Sequence, residues 1–258
     1  MRTRWTVFLF GFLSYVMFVA VFLYAIGFVG NFAVPLAIDG PPRDPLGTAL
    51  AIDALLLAVF ALQHSVMARP WFKALVTRVV PQPAERSLYV LCSNLAMILL
   101  FWQWRPLGGV AWDVETPALR MALHALCAVG WGTVLATTFL IDHFDLFGLR
   151  QVWLFLRGRP YTRLHFAMPG PYRHVRHPLY VGWLLAFWST PTMTGAHLFF
   201  AVMTTAYILI AIRFEERDLA SAFGERYLAY RERTPMLVPR LTPRASAGGR
   251  IGGRQAQE

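Results

Sequence analysis

The sequence predicts an all-α protein, a polytopic membrane helical bundle of about five to six spans. Three observations carry that expectation. Only 15% of the residues are charged and 57% are hydrophobic, with a mean hydropathy of +0.47; soluble domains carry about 25% charged residues. Several apolar runs match the roughly 20 helical residues that cross a bilayer core. The short alternating segments of a spanning barrel are absent from these runs, and lipid admits only helices or closed barrels.

The first run, residues 5–29, is too long for the apolar part of a signal peptide and is not followed by an A-x-A cleavage site, so it reads as a retained span. Further spans are expected at 49–67, 88–104 and 118–141, then a shorter pair at 179–190 and 196–212. That last pair is separated by "TPTMTG", whose Pro191 and Gly195 turn the chain. Because 179–190 is short for a span, the pair reads as a short or re-entrant hairpin. The loops "GNFAVPLAIDGPPRDPLG" and "RPLGGVAWDVETP" read as connectors. "ARPWFKALVTRVVPQPAER" mixes aromatic and basic residues as a segment lying along the membrane surface does. After the last span the helix is expected to continue outward, with Leu219, Phe223, Tyr227 and Tyr230 on one face. The chain therefore reads as one integral membrane domain, 1–239, whose chemistry lies in 142–239, and a disordered cytoplasmic tail, 240–258, rich in Gly and Ala.

The formal net charge is +10, and its placement excludes nucleic acid as the partner. With the N-terminus in the cytoplasm, every basic residue except Arg43, Arg105 and Arg120 falls on the cytoplasmic side. The positive-inside rule thus puts both termini in the cytoplasm, with anionic lipid as the partner of the basic loops. Cys92 and Cys127 both lie in expected spans and read as small buried residues.

Three polar clusters fall on that same side: Asp142-His143, the stretch "GPYRHVRHPLYVG" (170–182), and Glu215-Glu216. Carboxylates at the exit of an apolar helix are costly to desolvate and call for a partner or a task. His174 and His177 have ligand-like spacing, but no cysteine or carboxylate nearby completes a set, so no metal is expected. Pro178 suits the first turn of a helix, whose free N–H groups receive anions.

"RHPLYVG" (176–182), followed about thirty residues later by "EE" and then "FGERYLAY", resembles the isoprenylcysteine carboxyl methyltransferase-like family, and phospholipid N-methyltransferases share a related pattern. Upstream, "TTFLIDHFDLFGLRQVW" (137–153) is similar to the bacterial methanethiol S-methyltransferases, a branch of the same group. The resemblance implies an enzyme of the bacterial inner membrane. It would carry S-adenosylmethionine at the cytoplasmic face and methylate a small thiol, methanethiol, to dimethyl sulfide. It further implies that Tyr172, Arg173, His174, Arg176, His177, Pro178, Tyr180 and Gly182 hold that cofactor together with Glu215 and Glu216.

A thiol reacts as its thiolate, so the acceptor needs a base. His143 is the expected proton acceptor, with Asp142 or Asp145 orienting its ring, and His165 stands in reserve. Gln63 and His64, near the inner end of the second span, are expected to border the substrate pocket. Competing acceptors within the class are a prenylated cysteine carboxylate and a phospholipid amine. A different class, a haem-binding electron-transfer protein, would use His64, His124 or His143 as axial ligands.

Overall fold

The computed structural model describes residues 2–162 and 170–239. His165 and the tail expected at 240–258 lie outside the described residues.

The chain opens with α1 (Arg2–Gly30), uniformly apolar around its circumference, as a helix surrounded by lipid and other helices should be. It continues through α2 (Leu46–Met67), the short α3 (Pro70–Val76) and α4 (Glu85–Gln103), the last entered through a 3₁₀ turn at Gln82–Ala84. Next come strand β1 (Val110–Asp113), α5 (Pro117–Leu140), the one-turn α6 (His143–Leu146) and α7 (Leu149–Leu156). A 3₁₀ turn at Gly170–Arg173 leads to α8 (Pro178–Trp188), β2 (Thr192–Thr194), α9 (Gly195–Phe223) and α10 (Glu225–Arg233). Among the described residues five helices, α1, α2, α4 with its entry turn, α5 and α9, are long and apolar enough to cross a membrane. Their outward faces carry Leu13, Leu62, Met121 and many other exposed apolar side chains. In water such a surface would drive aggregation; in lipid it is solvated. The protein is a polytopic helical membrane protein.

The short helix α8 does not turn back on itself, contrary to the re-entrant reading. It starts beside Glu216 near one end of α9 and is followed by Thr194, which caps the other end by accepting from the His197 N–H. Eleven residues of helix cover about 16 Å, roughly half the hydrocarbon thickness. Non-helical chain follows from Ser189 to Thr194, through a tight turn and then β2, with Ser189, Pro191 and Met193 buried in protein. Non-helical backbone at such depth is tolerated where protein encloses it.

The all-α expectation needs one amendment. β1 and β2 form a two-stranded antiparallel sheet, so "TPTMTG" and part of the second loop are paired strands rather than a plain turn and connector. The first loop is anchored as well. Ile38 is fully buried, and Asp39 bonds Asn31 and the Thr194 hydroxyl. The C-terminal helix is also interrupted. Gly224 adopts φ 54° and ψ −135°, a backbone conformation open to glycine, and α10 leaves α9 there instead of continuing it.

The core sits between α1, α2, α4, α5, α8 and α9, around Phe28, Leu100, Ala186 and Ala201. The tightest approach is α5 on α8. A Cβ on Gly130 would lie 2.5 Å from the Ala186 nitrogen, and one on Gly182 would lie 2.9 Å from the Gly130 oxygen. Small residues let these backbones touch, as at other interhelical contacts in lipid.

Candidate functional site

Three groups of polar residues stand together in the structure, and each is built by local chain geometry. The first joins "RHPLY" to the paired glutamates. Arg176 Nε donates to Glu216 Oε1 at 2.7 Å, and His177 Nε2 is 3.0 Å from the same oxygen. His177 Nδ1 is 3.7 Å from Glu215 Oε2. Arg176 also donates to the carbonyls of Arg231 and Thr234, while the N–H groups of Arg176 and His177 donate to Pro235 and Met236. The segment after α10 is thereby pinned onto the start of α8. Tyr230 donates to the Tyr172 carbonyl at 2.6 Å. Burial pushes the Tyr230 phenol up to about 12 and raises that of Tyr172 as well, with Glu215 adding to the effect on Tyr172. Both phenols stay neutral donors at ordinary pH.

The sequence expectation brings these residues together correctly but divides their work differently. Glu216 is tied to Arg176 and His177. Glu215, with its side chain 45% exposed, makes only the longer contact to His177 as an ion pair among the described residues. Arg173 and His174 are exposed at the mouth. Tyr180 lies within electrostatic reach of Glu215, Tyr207 and Tyr89. Pro178 is buried at the first position of α8. Gly182 is a correction: expected beside a cofactor, it faces α5, where Gly130 and Val134 fill the space its side chain would occupy.

The second group surrounds His143. This residue is 4% exposed, with its ring stacked on Phe139 at 4.2 Å between centroids. Its Nδ1 is 2.8 Å from the Thr138 hydroxyl and its Nε2 is 2.9 Å from the Tyr15 hydroxyl. Burial lowers its pKa below the ordinary histidine value, favouring the neutral ring. The carboxylates expected to orient it are engaged elsewhere. Asp142, at φ 78°, caps α6 by accepting from the Asp145 N–H. Asp145 accepts from Arg150 and Tyr161. The orienting partners are hydroxyls from α1 and α5, which pattern reading along the chain did not connect.

The third group lines a cavity of about 270 Å³ enclosed by α1, α2, α4, α5 and α8. Most of its wall is apolar, including Phe18, Phe22, Met97, Leu179 and Trp183, while His64, Tyr89, Ser93, Asn94 and Arg86 supply the polar atoms. Thr138 and Phe147, both against His143, lie in the wall, so His143 stands one layer behind it. His64, expected to border a substrate pocket, lines this cavity. Gln63 lies next to it in sequence and donates to the Met67 sulfur instead of lining the cavity. Arg86, Tyr89 and Ser93 were not anticipated, although polar residues spaced three and four apart on an apolar helix were the available signal.

A phospholipid methyltransferase family model matches residues 119–226, which contain both glutamates and the α8 motif. A methanethiol S-methyltransferase of Crocosphaera subtropica is 52% identical over 92% of this chain and 93% of its own length. One of Mycobacterium tuberculosis is 52% identical over 92% of this chain and 97% of its own. The chain belongs to the methanethiol S-methyltransferase family. Membership covers the spans, the cavity and the α8–α9 cluster alike, because the match extends over nearly the whole sequence. Nurim of Xenopus laevis is a more distant relative of this methanethiol S-methyltransferase family member, 32% identical over 66% of the chain. No solved structure matches.

Proposed function

We propose that this protein transfers a methyl group from S-adenosylmethionine to methanethiol at the cytoplasmic face of a bacterial inner membrane, releasing dimethyl sulfide. The observation that carries the reading is the junction of a small apolar cavity with a charged cluster. Leu179 lines the cavity, and its neighbours His177 and Tyr180 belong to the cluster with Glu215 and Glu216. An apolar acceptor of one carbon and one sulfur suits a chamber at the low end of small-molecule sites, which span about 300–1,000 Å³. The names of the relatives that match nearly the whole chain agree with that acceptor.

The charged cluster fits the donor. Glu215, half exposed and 3.7 Å from His177, offers a carboxylate to an ammonium or ribose, and exposed Arg173 offers a guanidinium to a carboxylate. The first turn of α8, led by Pro178, offers N–H groups beside them. Glu216, Arg176 and His177 hold the α8 start and the segment after α10 in register around that position. When bound, the donor supplies a sulfonium methyl group open to attack by a sulfur nucleophile. The apolar wall excludes water from the reacting sulfur, which strengthens the attraction between a thiolate and a cation. The concentration of basic residues on this side supports the cytoplasmic orientation.

The test is methyl transfer by purified protein from isotope-labelled S-adenosylmethionine to methanethiol. Labelled dimethyl sulfide is the expected product. Label that appears only on a prenylcysteine ester or a phospholipid amine would replace this reading with one of its rivals.

A further inference from the structure

The cavity wall contains a second histidine–tyrosine pair, built like the one at His143 but facing the cavity. His64 Nε2 is 2.7 Å from the Tyr89 hydroxyl, and His64 Nδ1 is 3.2 Å from the Ser93 hydroxyl. Ser93 donates its proton to the Tyr89 carbonyl at 3.0 Å, one turn back on α4. Its oxygen is then free only to accept, so the Nδ1 of His64 carries the hydrogen. That leaves Nε2 as a bare acceptor, with the Tyr89 hydroxyl donating to it. At His143 the same logic holds: Thr138 donates to the Leu135 carbonyl and Tyr15 faces Nε2. The two pairs differ in position. His64 and Tyr89 both line the cavity, and His143 does not.

The charged and titratable groups around the inner pair define the field that a thiolate in the cavity would meet. The Arg86 guanidinium carbon sits 4.7 Å from the Tyr89 ring centre, and Arg86 itself lines the cavity. Tyr207, bonded to Ser65, Tyr180, beside Glu215, and the charges of Glu85 and Arg69 also lie within electrostatic reach of Tyr89. Phe60 stacks on His64 at 5.2 Å and holds the ring in place.

We propose that the His64–Tyr89 pair, not His143, takes the proton from the thiol acceptor, with Ser93 fixing the histidine tautomer and Arg86 stabilising the thiolate. This rests on the thiol methylation proposed above. The thiol S–H proton passes to the Tyr89 oxygen as the Tyr89 proton passes to His64 Nε2, leaving an imidazolium and a thiolate. The thiolate sulfur bonds the methyl carbon as the carbon–sulfonium bond breaks, its electron pair staying on the donor sulfur. His64 then loses the proton to solvent, so one proton is released per dimethyl sulfide formed. His143 is a positioning residue that braces the wall through Thr138 and Phe147.

The experiment compares two thiols of different acidity, methanethiol and 2,2,2-trifluoroethanethiol, in wild type, His64→Gln, Tyr89→Phe and His143→Gln. A lost base matters most for the acceptor that is least ionised on its own. Expected for His64→Gln is a fall in kcat on methanethiol of about 10²–10³-fold, within the usual range for general-base catalysis. The fall with the acidic thiol should be below about tenfold, and the residual methanethiol rate should climb about tenfold per pH unit with the thiolate fraction. Binding of S-adenosylhomocysteine, read by calorimetry, should stay within about twofold, which separates a lost base from a damaged fold. Tyr89→Phe repeats the pattern should His64→Gln fail to fold. Equal losses on both thiols, or a thiol-selective loss in His143→Gln alone, overturn the assignment. A wild type that methylates neither thiol overturns the parent reading and this one with it.

Discussion

His143 shows how a residue acquires properties from partners far away in the chain. Its neighbours in sequence are carboxylates, yet its ring nitrogens meet Tyr15 and Thr138, and aromatic rings enclose it. Burial lowers its pKa from an ordinary value of about 6.5. Between the folded and unfolded values the unfolded chain binds more protons, so stability rises with pH through that window and is lost as pH falls. The melting temperature of the detergent-solubilised protein should therefore drop as pH is lowered below about 6.5. His143→Gln should flatten that part of the curve, and an unchanged acid limb would mean that other groups set it. Glu216 carries the complementary lesson. It is a carboxylate near the end of a mostly apolar helix, and its partners, Arg176 and His177, lie about forty residues away in the chain.

At the scale of elements, the α5–α8 contact governs the site, because α8 supplies both the cavity wall and the residues of the charged cluster. Gly130 and Gly182 allow the two backbones to meet. Gly130→Ala would place a methyl 2.5 Å from the Ala186 nitrogen, so the helices must separate. A loss of about 1–3 kcal/mol is expected, the usual cost of overpacking, read as a lower melting temperature. Gly132, two residues on, has nothing within 4 Å of its would-be side chain. Gly132→Ala should be neutral or slightly stabilising, since alanine favours helix by about 1 kcal/mol over glycine. Equal effects at the two positions would refute the close-contact account. Gly182 also illustrates an ambiguity of motif reading: the same glycine serves a ligand or a neighbouring helix, and only the packing tells which.

At the scale of the whole molecule, basic residues gather at one end and a small sheet with tethered loops closes the other. Asp113 belongs to that closed end, where bonds from Thr192 and Arg120 hold its carboxyl below the usual carboxylate range. The proposed orientation makes the basic end cytoplasmic. Epitope tags at either terminus should resist protease in intact spheroplasts and be removed in inverted vesicles; cleavage of both in spheroplasts would reverse the topology.

What the sequence by itself determined was the membrane class and the order of the long spans, while the pairing of "RHPLYVG" with "EE" was what the family resemblance implied. The first two follow from quantities that are additive along a chain: apolar length and charge placement. It also placed Gln63 and His64 together near the inner end of the second span, and of the two only His64 lines the cavity. Only the tertiary structure decided that non-helical chain and β2 take over where α8 ends, that Gly182 faces a helix and that Gly224 ends α9. The same holds for the two histidine–tyrosine pairs and for which of them faces the cavity. Such choices depend on hydrogen bonds and packing between segments up to 155 residues apart. Hydropathy and local propensity are silent about which hydroxyl will meet which ring, since each candidate is equally polar until the helices are placed side by side.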